Sequence, residues 1–443
     1  MNPELKRNLW LECSLHRLIA MPVVLGLCFL GIALGAEEDP RPRLASIGLL
    51  MFFGLTVLWG TRCATASVAE EYRTKTWDGQ RLSAIDPWTM TWGKLVGSTA
   101  FVWYGALMCL GVVVVVWPPV WQQPVETIVG LALCSVLGIQ ALALLASLLA
   151  TQKDVTRSAP RTIWVGICIF GLLAFGRGVA LMPLLTDGVT WWGRETEVWA
   201  FLLWSTGVFS AWAIFGAYRL MCQALQVRRL PWAWVAFVLF LTWYLTGFVP
   251  SASLAEARAV FGLVGLLLTL VSTYLLLFAE QSGAMVMRRI WIRLQRREWR
   301  RALEDMPCWP LSLLLALLFC GLLVPTSDHL PGGLAHWHDL GFPLLPLLAL
   351  LFCVRDIAIF QFFAYARIPR RVEATAMFYL ILLYGVLPAV SRASGAPLLS
   401  TLLLPLPWAV PAYAALAVLT VHVGIAVGLV VHRWRTIVQD VQS

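Results

Sequence analysis

The sequence predicts an all-α, polytopic bundle of transmembrane helices, and three observations support this fold class. About 60% of the 443 residues are hydrophobic and only 13% are charged, well below the roughly 25% charge of soluble domains. Apolar stretches recur along the chain, each long enough to cross a hydrocarbon core of about 30 Å. Arg and Lys concentrate in alternate loops. Because lipid offers the backbone no hydrogen-bond partner, these stretches must be helical.

The apolar stretches predict about twelve spans, near residues 18–35, 45–69, 95–117, 127–150, 162–182, 197–220, 231–248, 257–280, 310–325, 339–363, 374–391 and 405–431. The first six and the last six predicted spans share a similar topology, without a repeat of individual residues, which suggests two halves of six spans each. The predicted organisation is a cytoplasmic interfacial helix, a first half, a cytoplasmic linker, a second half and a cytoplasmic tail, at residues 1–17, 18–220, 221–230, 231–431 and 432–443.

The positive charges predict that both termini are cytoplasmic. The predicted extracellular loops 118–126 and 326–338 contain no Arg or Lys, whereas the predicted cytoplasmic loops are basic. Arg41 and Arg43 are the clearest exceptions. The net charge of +9 then reflects this bias and attraction to anionic lipids, so it requires no nucleic-acid partner. The Arg-rich, Lys-poor composition favours a bacterial inner (cytoplasmic) membrane.

The amino terminus predicts a short helix before the first span. Asn2 is a good N-cap, Pro3 suits the first helical position and Glu4 favours the positive end of a helix. The mixture of charged and apolar residues that follows is typical of a helix lying in the membrane interface. The alternative is a disordered cytoplasmic tail.

A polar segment, Glu70–Leu95, interrupts the apolar pattern; we call it the 70–95 segment. Its acidic start, Glu70 and Glu71, lies within helical pairing distance of Arg73 and Lys75. Gly79 is expected to break the helix, and Asp86–Pro87 to start another. With three tryptophans to anchor it, the segment predicts two short interfacial helices joined by a turn. The alternative is an ordinary charged loop.

The residue pattern of this segment resembles the ABC-type-2 transporter permeases. The matching positions are Glu71, Arg73, Thr76, Trp77, Asp78, Leu82, Ser83, Pro87, Trp92, Gly93 and Lys94. The resemblance covers the segment and, loosely, the first six spans. Family members often have Gly before the Thr, where this chain has Lys75.

The resemblance implies the permease of an ABC exporter, with the 70–95 segment as the coupling element that docks on a separate ATPase. The ATPase, in two copies, would bind ATP and Mg, leaving this chain without a cofactor or catalytic residues. It also implies short extracellular helices within Met182–Val198. Consistent with a partner ATPase, the only Gly-Lys pair, Gly93–Lys94, lacks the rest of a phosphate-binding loop. The expected docking and coupling residues are Glu70, Glu71, Arg73, Trp77, Asp78, Asp86, Pro87, Gly93 and Lys94.

The second half contains a basic loop, 281–309, with a partial apolar stripe of Met287, Ile290, Trp291 and Leu294. This pattern fits a helix on the membrane surface or a second contact with the ATPase. Outside the membrane, three histidines (His329, His336 and His338) are expected to be solvated rather than to bind a metal.

Charged residues within spans are the usual markers of a transport path. Arg177 and His422 are the candidates here, while Arg355 and Asp356 are expected near a cytoplasmic end, where Arg can snorkel. The absence of a dense acidic or histidine relay argues against an ion-coupled secondary transporter, which remains the main alternative. An intramembrane enzyme is less favoured, since no HExxH or GxSxG motif occurs; a purely structural subunit is the last alternative.

Overall fold

The computed structural model describes residues 2–36, 39–83, 85–121, 123–152, 188–227, 230–251, 253–280, 283–330, 344–366, 372–406 and 410–440. Within these ranges, nine helices are long and apolar enough to cross a membrane, and a bent pair, Pro87–Gly97 with Ala100–Val115, gives a tenth if it is one span. The chain is therefore an all-α, membrane-embedded protein with many spans.

The count of twelve spans stays a prediction. The predicted span 162–182 lies outside the described residues. The predicted span 231–248 corresponds to an apolar helix, Trp232–Thr246, of only 15 residues. The second span extends further than its apolar core, from Arg41 to Arg73.

Two compact units divide the chain. One comprises Met1–Val189 and Glu195–Arg229, and the other comprises Thr190–Arg194 and Leu230–Ser443. The helices of the first unit are α1 (Pro3–Glu12), α2 (Leu15–Leu34), α3 (Arg41–Phe53), α4 (Thr61–Arg73), α5 (Trp77–Arg81), α6 (Pro87–Gly97), α7 (Ala100–Val115), α8 (Val125–Gln152) and α9 (Val198–Ala224). A π-helical stretch, Gly54–Gly60, joins α3 to α4 within one continuous span.

The helices of the second unit are α10 (Trp232–Thr246), α11 (Leu254–Ala279), α12 (Ala284–Gln295), α13 (Trp299–Glu304), α14 (Cys308–Leu323), α15 (Leu345–Ala364), α16 (Val372–Ile381), α17 (Leu387–Ala393), α18 (Pro397–Leu403) and α19 (Ala412–Asp440). A 3₁₀ turn, Val324–His329, extends α14, and a second π-helical stretch, Leu382–Val386, joins α16 to α17. The largest core of this unit is centred on α11, α14 and α15, with Leu277, Leu323 and Cys353 among its buried residues.

A short β-hairpin occupies part of the region expected to contain extracellular helices. Strands β1 (Val189–Trp191) and β2 (Arg194–Thr196) pair across a two-residue turn. Both turn residues have positive φ, 51° at Trp192 and 70° at Gly193, as a type I′ turn requires. The helical expectation for Met182–Val198 is thus wrong for residues 189–196, and residues 182–187 lie outside the described ranges.

The 70–95 segment forms two short helices, α5 and α6, as its sequence predicts. Asp86 caps α6 by accepting hydrogen bonds from the amides of Trp88 and Thr89, at 2.9 and 3.3 Å. Pro87 occupies the first helical position, where its missing N–H costs no hydrogen bond. The end of α6 bends by 55° into α7. At this bend the hydroxyls of Ser98 and Thr99 donate back to backbone carbonyls four residues earlier, which favours helix bending.

The break before α5 occurs at Lys75 and not at Gly79, which lies inside α5. Lys75 has φ 59°, and its amide donates to the Tyr72 carbonyl at 3.3 Å, while the Thr76 amide donates to the Glu71 carbonyl at 3.0 Å. These two bonds form a Schellman motif that ends α4. A residue in this left-handed conformation is usually glycine, because a side chain destabilises the conformation by about 1 kcal/mol.

Replacing Lys75 with glycine should therefore raise the stability of the chain. The gain is limited to at most about 1 kcal/mol, because glycine is also freer in the unfolded chain. Lys75→Val, which adds a β-branched side chain at positive φ, should destabilise it. The apparent Tm in detergent measures both effects; a lower Tm for Lys75→Gly than for Lys75→Val would contradict this description of the turn.

In the second unit, Glu280 caps a helix that lies far from it in sequence. Its carboxylate accepts hydrogen bonds from the amides of Cys308 and Trp309, at 2.7 and 3.3 Å, in the first turn of α14. Pro307, the residue before that helix, supplies no side-chain cap. Burial raises the pKa of Glu280, although the two amide donors act in the opposite direction.

A raised carboxyl pKa gives a definite pH dependence. Between the ordinary and the raised pKa, the unfolded chain releases its proton before the folded chain does, so rising pH lowers the stability. Glu280→Gln keeps a hydrogen-bond acceptor but does not titrate. The apparent Tm of this variant relative to the unmodified chain should therefore rise as the pH increases above the ordinary glutamate pKa of about 4.5. A relative Tm that falls as the pH increases from there would refute the assignment.

Candidate functional site

The 70–95 segment is built on a buried ion network in the first unit. The Lys94 ammonium, on α6, forms an ion pair with Glu71 at the end of α4 and lies 3.6 Å from Glu4 on α1. Lys94 is 1% exposed and Glu4 4%. Two carboxylates and two cations, the second being Arg7, give this network no net charge, which is the condition for burying charges without a large cost.

Hydrogen bonds fix the Glu71 carboxylate from three elements. Besides Lys94, it accepts a bond from Arg7 at 2.6 Å and one from the Gln80 amide at 2.6 Å. Gln80 belongs to α5, so the same carboxylate, at the end of α4, links α4 to α1, α5 and α6. Trp77 packs beside it, with its ring centroid 5.6 Å from the Lys94 nitrogen, within cation–π distance.

The amino-terminal helix packs on α6 through polar groups. Asn2 caps α1 at the amides of Glu4 and Leu5 and also donates to the Thr89 carbonyl at 2.6 Å. Asn8 donates to the Gly93 carbonyl at 3.1 Å. The helix and its Asn2 cap are thus present as predicted, but the helix ends at Glu12 and does not continue to residue 17. The apolar residues Trp10 and Leu11 are 81% and 57% exposed, which leaves them free to contact a lipid surface.

Gly93 allows the close approach of these two helices. A Cβ atom at this position would lie 2.6 Å from the Glu4 Cβ, a distance that real structures do not tolerate. Gly79, the other glycine of the segment, faces open space. Gly93 is thus a packing residue, and its contribution is to let Glu4 reach Lys94.

The structure separates the predicted docking residues into two groups. Glu71, Trp77, Pro87, Gly93 and Lys94 are buried, so they support the segment and offer no surface of their own to a partner. Glu70, Arg73, Asp78 and Asp86 are exposed. Within this second group Arg73 pairs with Glu70, and Asp78 pairs with Arg81 at 3.4 Å.

A surface cleft of about 340 Å³ lies between α1 and α5. It is lined by Pro3, Glu4, Arg7, Thr76, Gly79, Gln80, Ser83 and Ile85. The cleft is therefore lined by two members of the ion network, Glu4 and Arg7, and by residues of the short helix α5. A side chain entering this cleft would contact groups that are linked directly to the spans α4 and α6–α7.

A second buried polar cluster lies in the second unit and was not predicted. Arg355 and Asp356 are 2% and 3% exposed, so the expectation that this pair snorkels to a membrane surface is wrong. Asp356 accepts hydrogen bonds from the hydroxyls of Tyr274 and Tyr384, at 2.8 and 2.7 Å. The sequence signal was an Arg–Asp pair in the middle of an apolar helix, which marks function more often than snorkelling.

Of the two residues predicted to line a transport path, the structure describes one. His422 lies on α19 and is half-buried, whereas Arg177 lies outside the described residues. Among the described part of the chain, no group of three His, Cys, Asp or Glu is arranged to hold a metal ion. His336 and His338 are outside that part, so the outer histidine cluster stays untested.

Comparisons with known proteins give no family for this chain: no family model, curated protein or solved structure matches it.

Removing the Lys94 charge should destabilise the first unit strongly. Lys94→Met leaves Glu71 and Glu4 buried with only Arg7 nearby, and breaking a buried pair in this way costs about 3–5 kcal/mol. Adding Glu71→Gln to this variant should recover part of the loss, since contacting residues couple by about 0.5–3 kcal/mol. The apparent Tm of the single and double variants measures this coupling.

The matched control is Arg73→Met, which breaks the exposed Arg73–Glu70 pair one turn away. Its side chains are 70% and 57% exposed, so the cost should be at most about 1 kcal/mol. Equal losses for Lys94→Met and Arg73→Met would show that the buried network does not hold the segment in place.

Proposed function

We propose that this chain is the membrane permease of an ABC exporter in a bacterial inner membrane, with both termini cytoplasmic, and that a separate nucleotide-binding subunit docks on its 70–95 segment. The observation that carries the proposal is the pairing of an exposed short helix, α5, with a buried ion network beneath it. The resemblance of the segment to ABC-type-2 permeases adds to that observation. The cargo is not identified by either.

A coupling element must transmit force from a soluble partner to membrane helices, and the first unit has a path for it. Gln80 of α5 bonds to Glu71 at the end of the span Arg41–Arg73, and Glu71 pairs with Lys94 at the base of α6–α7. Trp77 is 3% exposed and belongs to a core with Met90 and Leu144. Movement of α5 would therefore move two spans, because its contacts with both are buried.

The exposed groups suit docking of a charged protein surface. Glu70, Arg73 and Asp78 are exposed, and the Arg73–Glu70 pair is exposed too, so a partner can exchange it at little cost. In the second unit, α12 and α13 of the basic loop 281–309 expose Trp291 and Trp299, at 53% and 61%. Ile290 is buried, so only part of the predicted apolar stripe is free for a membrane or a partner.

An ion-coupled secondary transporter is the second candidate, and the buried Asp356 favours it. A carboxylate inside a span, held by Arg355 and two tyrosine hydroxyls, is the kind of group that carries coupling ions in carriers. Transport into vesicles that contain an ion gradient and no ATP would support this candidate. A strict requirement for ATP and a second subunit would exclude it.

The docking proposal predicts that Asp78→Lys removes the ATPase partner without unfolding the chain. Asp78 is exposed and outside the ion network, so the apparent Tm should change little, while the reversed charge repels the docked surface. Affinity purification of the tagged chain from its own membranes, followed by mass spectrometry, measures the partner. The unmodified chain should retain a stoichiometric soluble ATPase with a phosphate-binding loop.

The matched control is Glu195→Lys, the same change of charge at an exposed position of β2, on the predicted extracellular side. This variant should retain the ATPase. An ATPase bound equally by both variants would place docking elsewhere. The absence of any ATPase from the intact, folded chain would refute the proposed function.

A further inference from the structure

A cavity of about 350 Å³ lies within the second unit, between α15, α19 and the helical stretch formed by α16 and α17. Its volume is at the lower end of the range for small-molecule sites, which is about 300–1,000 Å³. The lining is mostly aliphatic and aromatic; the polar side chains that reach it belong to Arg355, Tyr379 and His422. An apolar cavity with a few polar groups is the usual composition of a ligand site.

Arg355 brings unused hydrogen-bond donors to this cavity. Its Nε donates to Asp356 at 3.1 Å, and Nη2 lies 3.1 Å from the same carboxylate oxygen. No described residue accepts a hydrogen bond from Nη1 or Nη2 with suitable geometry. Because a guanidinium has five N–H donors, most of them remain unsatisfied, and a buried unsatisfied donor is costly.

Asp356 does not remove this deficit. It already accepts from Tyr274, Tyr384 and Arg355, so its charge is stabilised by three donors and it is held beside the guanidinium plane. The Phe352 and Tyr384 rings lie 4.9 and 4.8 Å from the Arg355 guanidinium carbon, and they fix the direction of the side chain. Arg355 is itself a lining residue of the cavity, so these buried Nη groups belong to the cavity wall.

The cavity opens through exposed apolar residues. Tyr379 on α16 and Ile425 and Leu429 on α19 line it and are 48%, 59% and 51% exposed. Both helices belong to candidate membrane spans, so an opening between them gives access from an apolar phase. A ligand that enters this way must carry an apolar portion.

We propose that this cavity binds a small anionic amphiphile, with its carboxylate or phosphate-type head on the Arg355 guanidinium and its hydrocarbon portion along Ile425 and Leu429. Charge-assisted bonds from a guanidinium to such a head are stronger than bonds to a neutral acceptor. His422, on the opposite side of the cavity from α15, is a second polar contact for the head. The inference goes beyond the proposed function and does not depend on it.

Binding of radiolabelled decanoate to the full chain in a nonionic detergent tests this site, with decanol as the uncharged analogue of the same chain length. We expect saturable binding of decanoate and at least about tenfold weaker binding of decanol, as the loss of a charge-assisted hydrogen bond predicts. Arg355→Met should abolish the preference for the anion. Equal affinity for both probes would overturn the proposal.

A second variant keeps the test decisive if Arg355→Met fails to fold because Asp356 loses its partner. Ala426→Phe fills the cavity from α19 and leaves Arg355 in place, so it should weaken decanoate binding by at least about tenfold. Ala417→Phe, at an exposed position of the same helix outside the cavity lining, should bind as the unmodified chain does. Unchanged binding by folded Ala426→Phe would also overturn the proposal.

Two further measurements separate the possible sources of the amphiphile. Anionic lipid that copurifies with the unmodified chain and is lost in Ala426→Phe would identify a membrane lipid. Movement of decanoate across vesicles that contain the chain with its energy source, lost in the same variant, would identify a transported cargo. Either loss would support the site. If Ala426→Phe changed neither the copurified lipid nor the transport of decanoate, this would count against the site.

Discussion

The first unit depends on one buried interaction, the ion pair between Lys94 and Glu71. These residues are 23 positions apart, and with Glu4 they fix α1, α4 and α6 against one another. A lysine that is 1% exposed is tolerated only because two carboxylates surround it, and removing either side leaves an uncompensated charge. The short helix α5 has little stability of its own, so its position follows from Gln80 and Trp77, which rest on this network.

The second unit also has a buried charged pair, Arg355 and Asp356. Asp356 accepts hydrogen bonds from three donors, whereas the Nη1 and Nη2 groups of Arg355 have no hydrogen-bond acceptor among the described residues. The network around Lys94 therefore suits a fixed mechanical link, and the one around Arg355 suits a binding site. The Nη groups of Arg355 that lack an acceptor among the described residues, together with the apolar cavity that Arg355 lines, give the physical reason to assign the two clusters different roles.

The sequence predicted those features that depend on residues close together in the chain. The caps at Asn2 and Asp86, and most of the apolar helices, follow from residue type and spacing within a few positions. Contacts between residues far apart in sequence could not be predicted, because they depend on packing between distant elements. Examples are the Glu71–Lys94 ion pair, the close approach of Glu4 to Gly93 and the hydrogen bond from Tyr274 to Asp356. The helix break was expected at Gly79 and not at Lys75, because a left-handed residue at a helix end is usually glycine. The 55° bend after α6 was not predicted, because the hydroxyl hydrogen bonds that favour it have no distinctive sequence motif.

The central claim is that the exposed side of α5 is where a nucleotide-binding subunit docks, and photo-crosslinking tests it most directly. A photoreactive amino acid at position 78 of the full chain, activated in native membranes, should attach to a soluble ATPase that contains a phosphate-binding loop. The same group at position 195 should not. Crosslinks from position 78 that reach only lipid, or only proteins without ATPase motifs, would contradict the account.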